Sequence, residues 1–122
     1  MGQDIRITVD EGMIRVVYRG RAEFAAITRM LREVGRVASE THSERLLFDL
    51  READYRHYYT GAIRHAEEGP ALGIEQRFRI AFLGAGDEPM LKYIEDVAVN
   101  RGYNVKAFAD EPEAVAWLQG AG

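Results

Sequence analysis

Leu46, Leu47, Phe48 and Leu50 form an apolar run broken only by Asp49. No other feature limits the fold so tightly, because a strand apolar at successive positions, rather than at alternate ones, must be covered on both faces. Such a strand belongs at the centre of a sheet. The run opens a longer stretch, RLLFDLREADYRHYYTG from Arg45 to Gly61, which reads as a buried strand, a charged loop and a helix entered at Tyr59-Thr60-Gly61. In an open α/β sheet, ligands and partners dock at the carboxyl ends of strands, where loose backbone groups and helix N-termini converge. That loop is the first candidate site.

The flanking segments supply the rest of the sheet. Ile5, Ile7 and Val9, the turn Asp10-Glu11-Gly12, and Ile14, Val16 and Tyr18 are two period-two runs joined by turn chemistry, an antiparallel hairpin at one sheet edge. From Ala22 to Ser39 the period becomes helical, with Phe24, Ile27, Leu31, Val34 and Ala38 on one stripe. Gly35 inside that helix costs about 1 kcal/mol relative to alanine, so it marks either a close backbone approach or a weak point. Arg29, Arg32 and Arg36 share another face; they are either a solvated face beside Glu33 and Glu40 or a dock for an acidic partner or anionic membrane surface.

After the loop, Tyr59, Ile63 and Ala66 give helical spacing that ends at Gly69-Pro70. Residues Gly73 to Gln76 connect it to a strand carrying Phe78, Ile80 and Phe82. Gly84-Ala85-Gly86 turns the chain into Asp87, Glu88 and Pro89, a helix-start signature, and Met90, Ile94, Val97 and Ala98 share a face until Gly102. Val105, Ala107 and Phe108 make a last strand. Asp110 with Glu113, and Pro112 between them, form a capping-box pattern that opens a final helix burying Ala114, Trp117 and Leu118. The expected fold is α/β: an antiparallel hairpin followed by parallel βα repeats in one mixed sheet. With the parallel strands in sequence order, every crossover helix falls on one face, and the other face needs cover from elsewhere or serves as a binding surface.

A chain of 122 residues is one domain, with its core expected over about 4–119. No apolar run is long enough to span a bilayer, and MGQDIRITVDEG lacks the basic and apolar parts of a signal peptide, so the expected location is the cytoplasm. The absence of cysteine removes disulfides, thiolate nucleophiles and cysteine-bound metals. Net charge is −4, its excess wholly in residues 62–122, which disfavours nucleic acid as a partner. Gly84-x-Gly86 lacks the third glycine of a dinucleotide loop, and Asp87-Glu88 would repel pyrophosphate. Asp49, Glu52, Asp54, Asp87 and Glu88 can meet at one sheet edge, but Gly20-Arg21 stands where a phosphoacceptor receiver domain needs acids. His42, His57 and His65 show no metal-ligand spacing, and no serine has a nucleophile-elbow context. The chain reads as a non-enzyme with no cofactor and no metal.

RLLFDL at 45–50, Tyr59-Thr60-Gly61, FRIAFLG at 78–84, the Arg101-Gly102-Tyr103 turn, and Phe108-Ala109-Asp110-Glu111-Pro112-Glu113-Ala114 with Trp117-Leu118 together resemble the SpoIIAA-like group of the STAS superfamily, the sulfate transporter and anti-sigma factor antagonist domains. The resemblance runs from Met13 to Leu118. It implies a regulatory protein-interaction module. In the antagonists, the corresponding loop carries Asp-Ser-Ser-Gly, whose second serine is phosphorylated; Thr60 and Gly61 occupy matching places, while Tyr58 and Tyr59 stand where the aspartate and first serine would. Thr60 is thus the phosphorylation candidate, its alternative role being to cap or pack at the helix start. SpoIIAA-like proteins are also compared with CRAL-TRIO lipid-transfer domains, which implies as alternative a carrier of a lipid or other hydrophobic molecule at a membrane surface, with Tyr55, Tyr58 and Tyr59 lining its mouth. The expected binding surface comprises Asp49, Glu52, Asp54, Tyr58, Tyr59, Thr60 and Gly61 with Gly84, Gly86 and Asp87. Its partner is a protein, and the free hairpin edge leaves room for a homodimer.

Overall fold

The structure, a computed structural model, describes residues 3–85 and 89–120. The chain order is β1 (Asp4–Asp10), β2 (Met13–Arg21), α1 (Phe24–Thr41), β3 (Arg45–Asp49), β4 (Ala53–Asp54), α2 (Tyr59–Glu68), a 3-10 turn (Gly69–Leu72), β5 (Arg79–Leu83), α3 (Pro89–Asn100), β6 (Asn104–Phe108) and α4 (Glu111–Leu118). The main sheet runs β1-β2-β3-β5-β6, with β4 beside β2. β1 is antiparallel to β2, pairing Asp4 with Arg19 through Asp10 with Met13. The remaining pairs are parallel. The mixed sheet expected from the pattern is therefore observed, with the apolar β3 at its centre.

Alternation along each strand divides the core in two. Ile14, Val16 and Tyr18 of β2, Leu46 and Phe48 of β3, Ile80 of β5 and Val105 of β6 face the layer made by α1, α2 and α3. Met13, Leu47, Ala81 and Leu83 face the other way, onto Ala114 and Leu118 of α4. Sequence-ordered parallel strands put the three crossover helices on one side, and α4 folds back to cover the second. It starts as its sequence dictates: Asp110 is in extended conformation and its carboxylate accepts a hydrogen bond from the Glu113 backbone N–H at 3.1 Å.

Two details tie the helical layer together. Gly35 is a close approach: a Cβ there would lie 2.9 Å from the Cα of Gly73, which itself adopts φ +94° where the 3-10 turn ends. α2 ends at Glu68, where Gly69-Pro70 is expected to stop it, and the chain then tightens into the 3-10 turn that runs to Leu72. The buried side of α2 differs from the expected stripe. Ala62 and His65 are buried, whereas Tyr59 is half exposed at 50%.

Candidate functional site

The carboxyl ends of the parallel strands lie side by side. Leu50 N–H bonds Leu83 C=O at 2.8 Å, and Gly84 N–H bonds Phe108 C=O at 2.9 Å. The loop after β3 is held to the end of β2 by Gly20 N–H on Glu52 C=O at 3.2 Å and Ala22 N–H on Asp54 C=O at 2.7 Å, the pairing that makes β4. These bonds turn the charged loop into a short strand and fix its height above the sheet.

At the root of this rim, Asp49 is buried. Arg51 donates Nε to its Oδ1 at 3.0 Å and Nη2 to its Oδ2 at 2.8 Å, and Arg15 Nη2 reaches Oδ2 at 3.2 Å. Both arginines continue to Glu111 at the start of α4, Arg15 in a two-pronged contact at 2.7 and 3.1 Å and Arg51 at 2.9 Å. Burial works against the Asp49 carboxylate, but the hydrogen bonds and charge of Arg51, with the charge of Arg15, hold its pKa below the ordinary aspartate value. Arg15 likewise lowers Glu111. The network locks the loop root to the helix on the opposite face. Asp49 thus acts at the base of the candidate surface.

The outer acids are also paired. Glu52 meets Arg19 at 3.2 Å, and Asp54 accepts two hydrogen bonds from Arg56 at 2.9 Å, which depress its pKa. Among the described residues, no three groups capable of holding a metal ion come together. Gly86, Asp87 and Glu88 lie outside the described residues.

The start of α2 divides its residues between inside and outside. Thr60 is exposed and no side chain caps the helix, so the capping role for Thr60 is not adopted; Tyr58 occupies the N-cap position. Tyr59 points outward and meets Tyr93 of α3 edge-on, ring centroids 4.8 Å apart. Tyr58 points inward across Gly61, where a Cβ would lie 2.6 Å from the Tyr58 ring. Gly84 is similarly bare because Leu91 and the Tyr55 hydroxyl crowd it. Both glycines let side chains from neighbouring elements close over the backbone.

Beneath this rim lies a hydrogen-bonded relay that periodicity did not single out. The Tyr58 hydroxyl bonds His65 Nδ1, His65 Nε2 lies 2.7 Å from Thr28 Oγ1, and Thr28 donates to Phe24 C=O at 3.0 Å. Because Thr28 commits its only proton to the carbonyl, it must accept from Nε2; Nδ1 is then left to accept from Tyr58. The imidazole is thereby held neutral, stacked 4.1 Å from the Phe24 ring. Burial pushes the His65 pKa down to about 4 and the Tyr58 pKa up. The spacing Tyr58, Ala62, His65 was the available signal, but none of the three is a strongly apolar helix marker.

The relay forms one wall of an apolar cavity of about 120 Å³ between the sheet and the three helices. Its floor includes Phe48 and Ile80, and its roof includes Ala62, Ala66 and Ala98, short side chains where leucine would close the gap. Tyr55 and Tyr58 line it, whereas Tyr59 does not.

An ordered α/β sheet with three crossover helices on one face, a returning helix on the other and a shared rim at the strand ends is the architecture of a SpoIIAA-like fold. The same architecture recurs in solved structures. An anti-sigma factor antagonist from Mycobacterium paratuberculosis superposes with a TM-score of 0.65 at 10% identity, over 97% of this chain and 95% of that one. An uncharacterized protein of the DUF3478 family with a SpoIIAA-like fold, from Shewanella loihica PV-4, gives 0.56 at 19% identity, over 96% and 94%. At such identities the likeness establishes the fold. No family model matches the sequence, and no curated protein does.

Proposed function

We propose that this chain is a non-catalytic regulatory module that binds another protein through the rim formed by the loop after β3, the start of α2 and the turn after β5. The observation that carries this reading is the exposed Tyr59, packed edge-on against Tyr93 and followed by the exposed Thr60, at the end of a loop that carries the Glu52, Asp54 and Arg56 charges. An aromatic anchor with a polar surround is the usual anatomy of a protein-binding hot spot. The architecture shared with an anti-sigma factor antagonist supports the same mode of action. Glu52, Asp54, Tyr59 and Thr60 contribute the surface, with Asp49, Tyr58, Gly61 and the buried Gly84 positioning it; Gly86 and Asp87 complete it in this proposal. A phosphate on Thr60 would sit in the first turn of α2, where the helix N-terminus favours anions. The reading places the module in the cytoplasm.

The test is affinity capture from the source cells, followed by calorimetric titration of each purified candidate. Tyr59→Ala and Thr60→Glu are expected to weaken binding about tenfold or more without changing the melting temperature, while Lys106→Ala, on the α4 side, leaves it intact. Equal affinity of the rim variants and the unaltered chain would remove the reading.

A second reading, carriage of an apolar molecule, is favoured by the cavity beneath the rim. It uses a different part of the structure and does not exclude the first.

A further inference from the structure

The cavity carries information about what it would hold. We infer that it takes a neutral, unfunctionalised apolar molecule the size of a single ring, not a lipid chain; this rests on the second reading above and specifies its ligand. Size limits the occupant. Pockets for drug-sized ligands run to about 300–1,000 Å³, whereas a dry cavity of about 150 Å³ lined by aliphatic and aromatic groups accommodates benzene. At about 120 Å³, the space here belongs with the second class.

The lining is apolar as well as small. Three of the four tyrosines along the wall turn their hydroxyls to hydrogen-bond partners in the protein. Tyr18 donates to Arg21 C=O at 2.7 Å, Tyr103 donates to Ala66 C=O at 2.8 Å, and Tyr58 bonds His65 Nδ1. Among the described residues, no buried side-chain nitrogen or oxygen lacks a partner. The ligand therefore meets chiefly ring faces and aliphatic carbon, and the protons of Tyr18, Tyr58 and Tyr103 are already committed, which leaves none of these three to donate to a carboxylate or an anionic headgroup. A polar end brought into this space would lose its hydration without replacement.

Access and construction point the same way. Half-buried Leu50, Phe82 and Ile94 form the side of the cavity nearest the carboxyl ends of the strands, so it reaches toward the rim. Its roof is short because α2 and α3 present Ala62, Ala66 and Ala98. The vacancy is thus written into three residues and can be closed at any of them.

Toluene and palmitate are the probes, titrated separately against the full chain and read by melting temperature and by backbone amide shifts. At a hundredfold excess over Kd, toluene is expected to raise the melting temperature on the order of 10 °C and to shift amides of residues 58–66 and 94–98. Palmitate is expected to do neither. Ala62→Leu, which fills the roof, is expected to abolish the toluene effect; should that variant not fold, Ala98→Val serves the same purpose with a smaller addition. If palmitate binds and toluene does not, the ligand class is wrong while the carrier reading stands. If neither binds, both fall. A toluene effect that persists in a folded roof-filled variant would place binding elsewhere and overturn the inference.

Discussion

At the scale of single residues, His65 shows how position sets protonation. Its Nε2 proton goes to Thr28 and its Nδ1 lone pair is taken by Tyr58, so a second proton needs the Tyr58 hydroxyl to turn away. Burial lowers its pKa from an ordinary 6.5 to about 4. The unfolded chain therefore binds a proton more readily than the folded one between those values. The contribution of this group to stability is complete above pH 6.5 and is lost as pH falls toward 4, reaching about 3 kcal/mol in all. Urea unfolding at pH 7.5 and pH 5.5 is expected to show a loss of about 1 kcal/mol, with most of that difference absent in His65→Leu. The depressed carboxylates Asp49, Asp54 and Glu111 respond only at lower pH, so they leave this window to the histidine. No residue pattern marks this group: an isolated histidine on a helix becomes informative only once its neighbours from α1 and the N-cap are in place.

At the scale of elements, α4 shows what a strong local signal achieves. Asp110, Pro112 and Glu113 specify its start, and Ala114 and Leu118, both fully buried, fasten it to Leu47, Ala81 and Leu83. Removing the cap with Asp110→Ala is expected to cost about 1 kcal/mol in chemical denaturation, with the unfolding transition still cooperative. The β3 run, the hairpin turn and the α1 stripe were legible for the same reason, since each has a pattern of one period that its surroundings reinforce. Gly35 was legible as a choice between close approach and weakness, and the contact with Gly73 decides it. The buried stripe of α2 lies one residue away from the expected one, because tyrosine, alanine and histidine carry little contrast between faces; Tyr59 is outward and Ala62 inward. β4 was illegible, since two residues carry no period and their strand character comes wholly from pairing with Gly20 and Arg21. The cavity was illegible for a related reason: alanines read as good helix formers, and only the assembled layers show that they leave a space.

At the scale of the whole molecule, strand order does most of the work. Parallel strands laid down in sequence order bring the ends of β3, β5 and β6 to one line, and the Asp49–Arg51–Glu111 contacts clamp that line to the helix behind it. The result is a rigid support presenting Tyr59, Thr60 and a fringe of paired charges, with an apolar space directly below. Bundling recognition at the strand ends of an α/β sheet follows from topology, so the loop could be nominated from sequence although its inner and outer residues could not be separated. The most direct measurement is titration of the isotopically labelled chain with its purified protein partner, followed by backbone amide shifts. The account expects the largest changes within residues 50–61 and 83–93; changes concentrated on β1 or on α4, with that rim unaffected, would contradict it.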